Sequence, residues 1–277
     1  MRLYVVDAFT NTPFAGNPAG VVLLDRPADT AWMQSVAAEL KHAETAFVRV
    51  DRMEDAIGAV ADAQTLPLRW FTPEVEVDLC GHATLAAAHV LGGDRVFSTR
   101  SGQLRCAAKD GWVRMDFPAD PPKPVGSPDG TAGEADGAAI QALTKALPGI
   151  TVRQVLRGRT DLVVLAEDAA EVRAVRPDFD AVARSDARLV AVTAPGDRPG
   201  IDFVSRAFAP AVGVDEDPVT GSLHCTLAPL WADRLGRSEL VAEQASARGG
   251  TVRVELRGDR VALAGQAVTV VSGELEV

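Results

Sequence analysis

Two stretches of this chain, "DLCGHATLAAAHVLG" and "PVTGSLHCTLAPLWADRLG", superpose with Gly81 on Gly221, His82 on Ser222 and Cys80 on Thr220, 140 residues apart in a chain of 277. Each follows strand-like sequence, turns at a glycine and a polar residue, continues as a largely apolar helix, and stops at a glycine. A largely apolar helix must be covered, and here one recurs at half-chain spacing. The pattern points to a duplicated α+β domain in which each half wraps a sheet around one central helix.

The sequence between these helices supplies the sheets. "RLYVVDAF" alternates as a strand, "NTPFAGNPAG" is dense in turn formers, and "GVVLL" resumes extended structure. Asp29 is placed to cap a helix whose Met33, Val36, Ala37 and Leu40 share one face. "ETAFVRV" reads as a strand entered through Ala43 and Glu44, and Leu66, Leu68 and Trp70 alternate in another. The first central helix is expected from Thr84 to about Leu91, ending at Gly92-Gly93, and "QLRCAAKDGWVRMDF" as a hairpin turning at Asp110-Gly111.

From Pro118 to Gly137 the composition shifts to Pro and Gly with no apolar period. The expected organisation is therefore a first domain over 1–118, a linker over 119–137 and a second domain over 138–265. The last strand, about 266–277, is expected to pack back onto the first domain. The second domain should hold a short helix from Ala138 through Leu147, strands at "TVRQVLRG" and "TDLVVLAE", and helical stretches between Asp168 and Ala183. Strands at "RLVAVTA" and "IDFVSRAF", a buried helix over Gly221 to Leu235, and a hairpin over Thr251 to Ala264 turning at "RGDR" complete it.

A formal net charge of −10 argues against nonspecific binding to nucleic acid or an anionic membrane, which needs clustered Lys and Arg. A small anionic substrate remains compatible, because the field in a pocket need not follow the net charge. Cys80, Cys106 and Cys225 are too few and too widely spaced for a disulfide framework. The first residues lack the apolar stretch of a signal peptide, and no run reaches the roughly 20 apolar residues that span a bilayer. A cytoplasmic protein is the expectation.

Helix starts expose unpaired N–H groups and a partial positive charge, so Gly81-His82 and Gly221-Ser222 are ready to receive a carboxylate. If the halves are related by a pseudo-twofold, both starts could face one ligand. Cys80, at such a start, could act as thiolate, but its counterpart Thr220 is far too weak an acid or base for a two-base racemase, so it reads as a buried or pocket-lining thiol. His82 could donate to a carboxylate or move a proton. His89, His224, Cys106 and Cys225 read as packed residues and His42 as a surface one. Four scattered histidines give no metal site. Glu44, at the mouth of a strand that runs into the core, would be partly desolvated and suited to shuttling a proton. Asp217 precedes the second helix and could cap it or bind a ligand, whereas Asp215 and Glu216 read as a solvated loop. Phosphate loops and dinucleotide fingerprints are absent.

Five ordered motifs, "VDAFTNTPFAGNPAGVVLL", "ETAFV", "RWFTPEVEVDLCGHATLAAAHVL", "DEDPVTGSLHCTLAPLW" and "GQAVTVVSGEL", resemble the PhzF-like isomerases of phenazine biosynthesis over essentially the whole chain. The resemblance implies a diaminopimelate-epimerase-like α+β fold, with two similar domains, each a curved, barrel-like sheet around a central helix, and an active site between them. It also implies an isomerase without metal or organic cofactor, in which Glu44 moves a proton. Substrate contacts would come from Gly81, His82, Asp217, Gly221 and Ser222, with Cys80 lining the site, and a homodimer is compatible. The alternatives are an amino-acid racemase or epimerase of the same superfamily, against which Thr220 stands, and a non-catalytic small-molecule-binding protein, against which Glu44 stands.

Overall fold

Eight strands of the first unit close into a ring. β1 (Arg2–Ala8) runs antiparallel to β2 (Asn17–Leu24), and β2 runs parallel to β3 (Glu44–Arg49) across the connecting helix α1 (Thr30–Leu40). β3 pairs antiparallel with β4 (Thr65–Phe71), the two-residue β5 (Glu76–Val77) lies on β4, and helix α2 (Gly81–Leu91) follows. β4 then runs parallel to β6 (Gly93–Thr99), which leads through β7 (Gly102–Lys109) into β8 (Trp112–Pro118). The C-terminal strand Arg260–Glu274 pairs with β8 on one side and β1 on the other, completing the circuit. The computed structural model describes residues 1–50, 65–125 and 134–276.

Helix α2 is threaded through this ring. Ala83, Leu85, Ala86, Ala87 and Ala88 have no exposed surface. Small residues on every side let the strands approach it closely. At Gly265 the C-terminal strand comes so near that an added Cβ would lie 2.4 Å from Phe9 and 2.8 Å from Leu85. Helix α1 packs on the outside instead. Asp29 caps it by accepting from Trp32 N at 2.7 Å, and Met33, Val36 and Ala37 bury against Val22, Phe47 and Phe71.

The second unit comprises Pro118–Val261, and the first Met1–Phe117 with Ala262–Val277. β9 (Lys123–Pro124) pairs with β10 (Gln154–Arg157) after helix α3 (Glu134–Ala146). β10 is antiparallel to β11 (Asp161–Leu165), and β11 is parallel to β12 (Leu189–Pro195) across helices α4 (Ala169–Ala174) and α5 (Phe179–Ala183). β12 is antiparallel to β13 (Phe203–Ala209), which carries the short β14 (Val214–Asp217). Helix α6 (Gly221–Leu235) follows, and β13 pairs parallel with β15 (Glu239–Gln244), which in turn pairs antiparallel with β16 (Gly250–Arg257). The C-terminal strand is β17.

The same order of antiparallel and parallel links runs through both units. Each places a short strand before its central helix, and each central helix is buried. The duplicated α+β architecture expected from the echo is therefore the observed fold, with a barrel-like sheet around a helix.

Several boundaries differ from those expected. α2 begins at Gly81 and not Thr84, because the chain is already extended at Cys80 and its carbonyl accepts from Thr84 N at 3.2 Å. α3 begins at Glu134 and not Ala138. Asp215 and Glu216 belong to β14, where Glu216 is held by Arg206 at 2.7 Å, so they are not a solvated loop. "AVTVVSGELEV" is not a separate strand but the continuation of the 15-residue β17. Sequence reading passed over β6 and β15.

The Pro-rich stretch is anchored at its start. Ala119 N donates to Asp259 O at 2.8 Å, and Asp120 N donates to Cys225 O at 3.0 Å. That second bond has a local cause. Pro229, inside α6, has no N–H to offer the Cys225 carbonyl one turn back, and Asp120 supplies the missing donor. Residues 126–133, also expected in the linker, lie outside the described residues.

Candidate active site

Glu44 opens β3. Helix α1 ends at Leu40, Lys41 takes a left-handed conformation with φ 55, and its N–H returns to Ala37 O at 3.1 Å. Three residues on, the chain is extended beside β2, with Ala19 opposite Glu44. The carboxylate thus stands at the head of a central strand, with 22% of its side chain exposed.

The start of α2 faces it. Oε2 of Glu44 lies 3.4 Å from Nε2 of His82, and the Cys80 thiol lies 3.5 Å from Nδ1 of the same ring. Burial, reinforced by the nearby charge of His42, pushes His82 down to about 3, so the imidazole is neutral near pH 7. His42 is half-buried, not the surface residue expected. A neutral ring carries one proton. Placing it on Nε2, toward the carboxylate, leaves Nδ1 to accept from the thiol; the other tautomer would turn a lone pair toward Glu44. In this arrangement Cys80 is a thiol and not a thiolate, and Nε2, which closes no hydrogen bond among the described residues, keeps its donor.

The ligand-capable atoms of Glu44, Cys80 and His82 lie within 4.8 Å of one another. A tetrahedral ion would take one ring nitrogen, with the thiol and the carboxylate both on that nitrogen's side of the imidazole. They instead approach different nitrogens of one imidazole, a geometry that suits proton positioning.

In the second unit, Asp217 ends β14 four residues before the first residue of α6. Its Oδ2 accepts from the Thr220 hydroxyl at 2.6 Å. Helices α1, α4 and α5 are each capped by an aspartate, Asp29, Asp168 and Asp178. The two central helices have extended N-caps, Cys80 and Thr220, with no side-chain cap. A helix start without a side-chain cap leaves its first N–H groups to other partners.

Arg188 was missed by sequence reasoning. It immediately precedes β12, the counterpart of β3, and so occupies nearly the place that Glu44 holds in the first unit. Buried Asp161 fixes its guanidinium through bonds of 2.9 and 2.6 Å, and Nη2 also donates to Ser222 Oγ at 3.1 Å. The head of the strand meets the second residue of the central helix in both units, as a carboxylate with His82 in one and as a guanidinium with Ser222 in the other. Three of the other histidines and cysteines are buried. His224 is fully buried and donates from Nδ1 to Thr220 O at 2.8 Å. Burial pushes the Cys106 thiol up to about 12. Cys225 is buried as well.

A duplicated α+β fold with a barrel-like sheet around each buried helix is the fold of PhzF family proteins. Residues 6–273 match the family model of phenazine biosynthesis-like proteins, PhzC-PhzF, and the chain belongs to that family. An uncharacterized isomerase of Pseudomonas aeruginosa is 47% identical over 284 residues, covering 100% of this chain and 99% of the relative. The crystal structure of a PhzF family phenazine biosynthesis protein from Enterococcus faecalis superposes with a TM-score of 0.86 at 37% identity, covering 100% of this chain and 99% of that one. A predicted epimerase from P. aeruginosa shares the fold, with a TM-score of 0.73 at 19% identity over 100% of this chain and 99% of its own.

Proposed function

We propose that this isomerase moves a proton between carbons of a small carboxylate-bearing substrate, with Glu44 as the acid/base and no organic cofactor. The observation that carries the reading is the 3.4 Å approach of the Glu44 carboxylate to the neutral, buried His82 at the uncapped start of α2. Glu44 removes a proton from a carbon beside an unsaturated or carbonyl-conjugated centre and returns it elsewhere on the same face. His82 donates through Nε2 to the charge that develops on the substrate, and the N–H group of Gly81 adds to this stabilisation. Because His82 is already neutral, it offers a hydrogen bond without competing for the proton that Glu44 carries.

Asp217 and Ser222 are assigned to substrate binding, and Arg188, fixed beside Ser222, supplies the cation for the substrate carboxylate. Cys80 lines the site as a thiol. Racemisation by paired thiols is disfavoured because Thr220 stands where the second thiol would be, and its only proton is committed to Asp217.

The reading is tested by incubating the protein in D2O with a panel of cyclic unsaturated amino and hydroxy acids alongside the common amino acids. Deuterium should appear in a cyclic acid at a carbon that changes its unsaturation. Exchange confined to the α-carbon of amino acids would assign a racemase instead, and tight binding with no exchange of any acid would assign a binding protein.

A further inference from the structure

Gln244 ends β15, has no exposed surface, and directs both ends of its amide at the segment before α6. Thr220 N donates to Oε1 at 2.8 Å, which fixes that atom as the oxygen, since a backbone N–H can only donate. Nε2 must then be the donor to both remaining partners, the Asp217 carbonyl at 2.7 Å and Thr220 Oγ1 at 3.2 Å. A hydroxyl that receives there has one proton left, and it lies 2.6 Å from Asp217 Oδ2. Ser246 supports the same turn by donating to Pro218 O at 2.9 Å.

We infer that Gln244 is a positioning residue: through Thr220 it sets the direction of a hydrogen-bond chain that compels the Asp217 carboxylate to act as an acceptor and holds it in one orientation. As a statement about the site this rests on Asp217 contacting the substrate. The chain explains why a threonine suits position 220. A valine would lose the donor, and a thiol would bond too weakly to fix the carboxylate. Asp217 then meets its substrate as an anion, ready to accept from a ligand hydroxyl or ammonium group, so the substrate of this unit should bear such a donor as well as its carboxylate.

Several charged groups near this turn have partners of their own among the described residues. Glu216 on the same strand is bonded to Arg206 of β13, Arg188 is bonded to Asp161, and His224 of α6 is held neutral by burial at about 4. Asp215 is exposed. The Thr220 hydroxyl, donating from within hydrogen-bond distance, favours the ionised form of Asp217.

The test follows the Asp217 side-chain carboxyl by 13C NMR in the full chain as pH is varied, in native protein, T220V, T220S, Q244M and the T220V/Q244M pair. Loss of the hydroxyl in T220V should raise the proton affinity of Asp217 about tenfold, one pH unit in midpoint. T220S should restore the native midpoint. Q244M should raise it by a smaller amount in the native background and not at all in T220V, the signature of one residue acting through the other. A native midpoint in T220V, or an equal Q244M shift in both backgrounds, would overturn the inference. Because no turnover is involved, the result is independent of whether Glu44 is the acid/base.

Discussion

Acidification should destabilise this protein through two buried histidines. His82 and His224 would titrate near 6.5 in the unfolded chain but only at about 3 and about 4 when folded, both because burial penalises the charged ring. Between these limits the unfolded state binds more protons than the native state, so stability rises with pH across the window and is lost as pH falls below about 6.5. Integrating from pH 7 to pH 5, each histidine removes about 2 kcal/mol. That figure is insensitive to the folded value, because pH 5 lies above both. His82 acts on the first unit and His224 on the second. The assay is urea unfolding at pH 7, 6 and 5, followed by fluorescence of Trp70 in the first unit and Trp231 in the second. H224N keeps a donor where Nδ1 bonds to Thr220 O but cannot titrate. It should cut the pH 5 loss of the second unit by about 2 kcal/mol while leaving the first unit unchanged. A loss below about 1 kcal/mol per unit, or one that persists undiminished in H224N, would refute the buried-neutral assignment.

Three further outcomes follow from the geometry. C80S should retain activity within about a thousandfold, roughly 4 kcal/mol of barrier, on the acid that the native enzyme labels; a larger loss would revive a thiol mechanism. R188M should raise the KM for that acid at least tenfold with a smaller effect on kcat, measured by initial-rate labelling, whereas an unchanged KM would reduce Arg188 to a counterion for Asp161. G265A should destabilise the first unit by about 1–3 kcal/mol in urea, since its methyl would collide with Phe9 and Leu85; a neutral result would mean that β17 yields readily at that point.

The central helices were legible because composition alone requires them to be covered. "HATLAAAHVL" offers a solvent no polar face, and its repeat fixed the duplication. Cap positions were legible for similar reasons, as at Asp29. The start of α2 was misread because glycine and histidine are poor helix formers, and only enclosure by the barrel makes Gly81 and His82 helical. Pairing distance explains the other omissions. Arg188 sits in "SDARLVAV" and Gln244 in "LVAEQAS", where no local pattern marks them, yet they meet residues 34 and 24 positions away at the start of α6. Such contacts depend on the parallel crossovers that bring β12 and β15 into the sheet. His42 was misjudged for the same reason, since its influence on His82 crosses from the end of α1 to the start of α2.

The most direct measurement is solvent-deuterium labelling by native protein and E44Q, side by side. Glutamine keeps the length and hydrogen-bonding reach of Glu44 at the head of β3 but cannot carry the proton. Native protein should place deuterium in its acid, E44Q should do so at least about a hundredfold more slowly, and binding of the unlabelled product should be largely retained. If E44Q labels as fast as the native protein, Glu44 is a bystander and the proton travels by another group.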